Sequence, residues 1–195
     1  MKRFRKVESH VAVLNRDDVD TDQIIPARFL KTTERTGLGT HLFEDWRYDA
    51  DGASRQEFVL NTPDGKNAQI LLGGRNFGCG SSREHAVWAL LDFGINVVIA
   101  EGFADIFRKN SLRNGLLTIS VDRPTHKRCL DAAENGSTFR VDLETQTVGI
   151  AGDQTLAFDV DPFARTCMLE GVDDLEYILK HEAEIAAFES AERTV

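Results

Sequence analysis

A chain of 195 residues with 42% apolar and 28% charged side chains has the makings of one well-buried core, which excludes a disordered or membrane-spanning polypeptide. The net charge of -9 argues against nucleic-acid binding by phosphate neutralisation, and the short run Lys2, Arg3, Arg5, Lys6 reads as a solvated lead-in to a first strand. No apolar run approaches the roughly 20 residues of a membrane helix, and MKRFRKVESH has no apolar stretch behind its positive charge, so no membrane contact and a cytoplasmic location are expected.

VAVLN, residues 11–15, reads as a strand. Residues 15–26 are polar and turn-rich, with four aspartates before Ile24, and read as a loop. Residues 28–48 mix glycines and aromatics without a clean period and 49–54 are polar, which points to a mobile or partner-ordered segment. QEFVLN and AQILLGG read as strands flanking a turn at Pro63-Asp64-Gly65.

From residue 69 the pattern becomes regular: strand 69–72, helix 82–93, strand 96–100, helix 104–114, strand 116–121, helix 124–135. Gly94, Gly115 and Gly136 each fall just past a helix end, where a left-handed cap is wanted. INVVIA is apolar nearly throughout, as a parallel strand covered on both faces must be, so an α/β fold with a layered, largely parallel core is expected. TFRVDL, TVGIA and TLAFDV then predict an antiparallel meander, followed by two helices beginning near Pro162 and Asp174.

The informative stretch is GRNFGCGSSREHA, residues 74–86, between a strand end and a helix start. Its glycines let backbone approach a ligand, the first helical turn offers unpaired N–H groups, and Arg83 adds a planar fork suited to a carboxylate. The same residues also fit a capping box with Ser81 as N-cap and Glu84 three positions on, and Glu84 and His85 fit a cap and a packed histidine. Cys79 is a candidate thiolate without a clear base partner. The loop has neither the Gly-Lys-Ser/Thr of a Walker A nor the GxGxxG of a dinucleotide site, which disfavours a nucleotide. Cys79, Cys129 and Cys167 lie far apart and lack the spacing of a disulfide framework, metal site or cluster, so this chain is expected to bind no cofactor of its own.

GxxFGCGSSREHA resembles the active-site loop of the swivelling domain of the aconitase superfamily. The resemblance extends to DVDTDQIIPARFL (18–30), RTGLGTHLFEDWR (35–47) and residues 87–117, and across most of the chain it is similar to the small subunits of bacterial 3-isopropylmalate dehydratases. It implies a single swivelling β/β/α domain over residues 1–195. It further implies a heterodimer whose large subunit carries a 4Fe-4S cluster, and a small dicarboxylate substrate. By motif position Ser81 resembles the serine that removes and returns the substrate proton, Arg83 the carboxylate-binding arginine, and Ser82 and Gly80 its substrate-binding neighbours. Asp22 resembles the aspartate that pairs with a histidine on the cluster side. Where tricarboxylate-using relatives place an arginine, this sequence has Phe29, Leu30, Lys31 and Thr32, which implies a substrate with an apolar branch met by Phe29, Leu30 and Thr32. Homoaconitase and methylmalate dehydratase small subunits are the nearest alternatives. A stand-alone anion-binding module is a further one, disfavoured because it would not need the aspartate loop.

Overall fold

A computed structural model of the chain describes residues 1–150 and 154–192. Two strands open it, β1 (Lys6–Ser9) and β2 (Val11–Leu14), and they enter different sheets. β2 joins β3 (Ile70–Gly73), β4 (Val97–Ala100) and β5 (Leu117–Ser120) in a parallel sheet of order β2-β3-β4-β5. β1 pairs antiparallel with β6 (Phe139–Asp142), followed by β7 (Thr147–Gly149) and β8 (Thr155–Ala157) in a second sheet of order β1-β6-β7-β8.

The period-2 alternation of a strand decides the layering. Ile70, Leu72, Val97, Ile99, Leu117 and Ile119 point from the parallel sheet into a core shared with Val7, Phe139, Val141 and Val148 of the second sheet. Leu71, Val98, Ala12 and Leu14 point the other way, into a core filled by helical Ala86, Val87, Leu90 and Phe107. A β/β/α stack results. β3 and β4 are buried at every position, which is why their sequences are apolar without alternation.

Nine helices are present among the described residues: α1 (Thr21–Ile24), α2 (Glu44–Arg47), α3 (Pro63–Lys66), α4 (Glu84–Phe93), α5 (Asp105–Asn114), α6 (Arg123–Glu134), α7 (Pro162–Glu170), α8 (Asp174–Lys180) and α9 (Glu182–Glu192). Gly94 at φ +115 and Gly115 at φ +91 end α4 and α5 as expected, and Gly136 lies just past α6 at φ +77. The meander forms as read, with Ala151 of its second strand outside the described residues.

Several sequence expectations are corrected. QEFVLN forms no strand; Val59–Asn61 is a 3-10 turn, and Pro63 starts α3 beneath a Thr62 cap. Its apolar residues serve a turn because Leu60 is needed in the helix-side core. The aspartate loop contains α1, and β1 and α9 were not foreseen, since four residues of KVES carry too little period and α9 too little amphipathic contrast. The segment expected to be mobile packs inward through Leu38, Leu42 and Phe43. Buried Arg47 fastens it, donating from Nε to Asn61 Oδ1 at 3.1 Å and from Nη1 to the Leu42 carbonyl at 3.2 Å.

Candidate active site

The glycine-rich loop leaves the end of β3 and is laced along its length to residues 16–22. The Gly74 N–H donates to the Arg16 carbonyl at 3.1 Å, the Arg75 N–H to Asp17 Oδ1 at 2.8 Å, and Asn76 Nδ2 to Asp18 Oδ1 at 2.8 Å. The Gly78 N–H then donates to the Val19 carbonyl at 2.8 Å. Gly74 must be glycine here, since a Cβ would stand 2.5 Å from the Arg16 carbonyl oxygen. The four aspartates therefore divide their work: Asp17 and Asp18 fasten the loop, Asp20 caps α1 in a capping box with Gln23, and Asp22 meets Arg83.

Arg83 grips Asp22 as a fork, one terminal nitrogen bonding each carboxylate oxygen, the Nη2 bond measuring 3.1 Å. This guanidinium bond holds the Asp22 carboxyl below its ordinary pKa, with help from the Ala27 N–H at 2.9 Å. Asp22 thus has an intramolecular partner in the chain by itself, where the resemblance had implied a histidine elsewhere. The Asp22 carboxylate uses one N–H from each terminal nitrogen, so three of the five guanidinium donors remain for a ligand.

Ser81, Ser82, Gly80 and Arg83 line one hollow of about 250 Å³, together with Thr21, Gly78 and the residues Ala104, Asp105, Ile106 and Phe107. Those last four open α5, whose N-cap Ala104 supplies no side-chain bond, so the helix presents bare N–H groups. α4 likewise begins bare, with Arg83 itself at the N-cap. Two positive helix ends and a guanidinium suit this hollow to a carboxylate.

The expected capping box at Ser81 does not form, because the helix starts two residues later, at Glu84 with Arg83 as its N-cap. Gly80 at φ +89 turns the chain so that Ser81 and Ser82 stay exposed and non-helical, and Glu84 instead accepts from Asn114 Nδ2 at 3.2 Å. The Ser81 hydroxyl has no hydrogen-bond partner among the described residues, and Thr21 grips its carbonyl instead. His85 donates from Nε2 to the Thr32 carbonyl at 2.8 Å, the packed role. Burial pushes the Cys79 thiol above its ordinary pKa, and Asp20 and Asp18 add to the shift, the reverse of what a reactive thiolate needs.

The structure does not bring Phe29, Leu30 or Thr32 to the hollow. The Phe29 ring stacks on His41 at 3.8 Å between centroids, and both Phe29 and Leu30 pack against the helix-side core. The Thr32 carbonyl accepts a hydrogen bond from His85 of α4. Sequence reasoning missed Thr21 and residues 104–107. The second group had a readable signal, an α5 start with alanine where a capping side chain is usual.

Among the described residues no three His, Cys, Asp or Glu side chains gather to hold a metal ion, and Cys129 and Cys167 are buried apart from the loop. The residues present therefore do not fit an iron-sulfur cluster. No helix among them is long and apolar enough to cross a membrane.

Residues 1–124 match the aconitase C-terminal domain family. The chain is 53% identical over 193 residues to a 3-isopropylmalate dehydratase small subunit from Anaeromyxobacter sp. (strain K), covering 99% of this chain and all of the relative. It is 49% identical over 196 residues to a protein of the same name from Rhodospirillum centenum, covering 100% of this chain and 97% of the relative. The crystal structure of 3-isopropylmalate dehydratase from Methanocaldococcus jannaschii superposes with a TM-score of 0.68 at 28% identity, covering 93% of this chain and 98% of that one. Loop, fold and relatives agree, and the chain belongs to the aconitase C-terminal domain family, among its 3-isopropylmalate dehydratase small subunits.

Proposed function

We propose that this chain is one half of the active site of 3-isopropylmalate dehydratase, interconverting 2- and 3-isopropylmalate by dehydration and rehydration in leucine biosynthesis. The observation that carries the reading is that Ser81 and a clamped Arg83 face one hollow between two helix N-termini. Arg83 holds a substrate carboxylate through its remaining donors, Gly80 and Ser82 form the adjoining wall, and Ser81 removes and returns the proton beside that carboxylate.

A proton alpha to a carboxylate is weakly acidic, and a serine hydroxyl is a poor base at its ordinary pKa. Both difficulties are met by preorganised positive charge, which stabilises the serine oxyanion and the charge that develops on the substrate. The leaving hydroxyl needs an activating group. The side chains here do not fit one, so we assign the 4Fe-4S cluster to a large subunit and the working enzyme to a heterodimer in the cytoplasm. Residues 1–195 act as a single swivelling unit, a reading supported by adjacent strands β1 and β2 entering different sheets around one shared core. The apolar branch finds no wall in Phe29, Leu30 or Thr32, which lie away from the hollow; within it the apolar side chains are Ala104, Ile106 and Phe107.

The test is to mix the purified chain with its large subunit and assay 2-isopropylmalate, homocitrate and citrate. Turnover is expected only with both subunits present, with kcat/KM for isopropylmalate ahead of either tricarboxylate by at least ~10²-fold, since a buried unpaired carboxylate is penalised more than a misplaced methyl. A tricarboxylate preference would overturn the substrate; isomerase turnover by the chain alone would overturn the division of labour.

A further inference from the structure

We propose that Thr21 is a positioning residue for this reaction, setting the Ser81 hydroxyl by gripping the backbone on both sides of Gly80. The inference rests on the proton-transfer role given to Ser81 above. Thr21 is 2% exposed, and it makes two bonds to a loop 60 residues away. Its N–H donates to the Cys79 carbonyl at 2.8 Å and its hydroxyl donates to the Ser81 carbonyl at 2.9 Å. Between those carbonyls stands Gly80 at φ +89, where a Cβ would lie 2.1 Å from Asp20 Oδ2. The turn that carries Ser81 is thus fixed from one side by two successive residues, Asp20 filling the space beside Gly80 and Thr21 tying its flanks.

The grip is rigid. Threonine is β-branched and stiff about χ1, and α1 is itself locked by its capping box, the Asp20 N–H donating to Gln23 Oε1 at 2.9 Å. The next residue, Asp22, holds the Arg83 fork. One turn of helix therefore fixes the proton-transfer group through Thr21 and the carboxylate-binding group through Asp22, and so fixes the distance between them. Losing the threonine hydroxyl unties the turn at Ser81, while the Thr21 N–H bond to the Cys79 carbonyl and the Asp20 contact beside Gly80 remain. What is then lost is aim, with little loss of fold.

Thr21→Val, Thr21→Ala and Thr21→Ser are compared with wild type and Ser81→Ala in the full chain reconstituted with the large subunit. Thr21→Val keeps the shape and removes the donor; kcat is expected to fall about 10- to 100-fold, the scale of a misplacement near 1 Å, with KM little moved and the melting temperature lower by a few degrees for the unpaired Ser81 carbonyl. Thr21→Ser keeps the donor and is expected to restore kcat to within about threefold of wild type. If Thr21→Val does not fold, Thr21→Ala, which leaves room for water, takes its place in the comparison with Thr21→Ser. Wild-type kcat in the donor-less variants, or equal losses in Thr21→Ser, would overturn the proposal while a dead Ser81→Ala leaves the role of Ser81 standing. Full turnover by Ser81→Ala would defeat that role and this inference with it.

Discussion

Replacing Ser81 with alanine separates chemistry from stability with unusual clarity, because the structure removes the competing explanation. Were Ser81 a helix N-cap, its loss would cost about 1 kcal/mol. α4 instead starts at Glu84 with Arg83 as N-cap, and the exposed Ser81 side chain bonds nothing among the described residues. The expected stability change is that of an ordinary surface site, within about 0.5 kcal/mol, or roughly 1–2 °C in melting temperature for a domain of this size. A positioned proton-transfer group contributes at least ~10²-fold to turnover, equivalent to about 2.7 kcal/mol of barrier. Thermal melts of the isolated chain and kcat of the assembled enzyme at saturating large subunit measure the two quantities. A drop of several degrees with kcat kept would refute the reasoning, since it would make Ser81 a cap after all.

Arg83→Lys keeps the charge and loses the fork that meets both oxygens of Asp22, so kcat/KM is expected to fall by at least ~10²-fold; near wild-type kinetics in the assembled enzyme would show that bidentate geometry is irrelevant. Asp22 tests the clamp by pH. Its carboxyl titrates lower in the folded chain than in the unfolded one, chiefly through the Arg83 bond, so the clamp's stabilisation is complete above an unfolded value of about 3.9 and is lost as pH falls through the folded value. Asp22→Asn should lower the melting temperature at pH 7 and flatten its fall below about pH 4 relative to wild type. Because the Asp22 carboxylate is half exposed the effect is small, and parallel melting curves for the two proteins across that window would show that Arg83 does not hold Asp22 in solution.

The regular part of the fold was legible because strands buried on both faces and helices ended by glycine leave strong local marks: INVVIA and Gly94 need no tertiary context to be read. What failed was set by partners distant in sequence. Ser81 to Glu84 satisfies every local rule for a capping box, yet Thr21 and Asp20 hold Gly80 and Ser81 in a turn that excludes it. QEFVLN alternates well enough for a strand, but Leu60 is drawn into the core as part of a 3-10 turn. Phe29 and Leu30 were placed by motif position at the substrate, whereas a stacking partner, His41, and the core claim their side chains. Ser81 and Arg83 could be read from the loop itself and α5 carried an unread mark in its uncapped alanine start, whereas Thr21 acts through a hydroxyl bond to the Ser81 carbonyl that no local pattern announces.

The charges around the hollow explain why this chain should need a partner for binding as well as for chemistry. The charged side chains lining it are Arg83 and Asp105, of opposite sign, and Asp22 already neutralises the guanidinium from behind. A dicarboxylate arriving at the isolated chain would meet three free guanidinium donors and two helix ends worth about half a charge each, against two carboxylates of the protein. That balance suffices to orient one carboxylate and leaves the second without a cation. On the proposed function the arrangement suits a half-site: Asp22 holds Arg83 by its fork, and a second surface bringing positive charge would add the cation that the second carboxylate of a dianion requires.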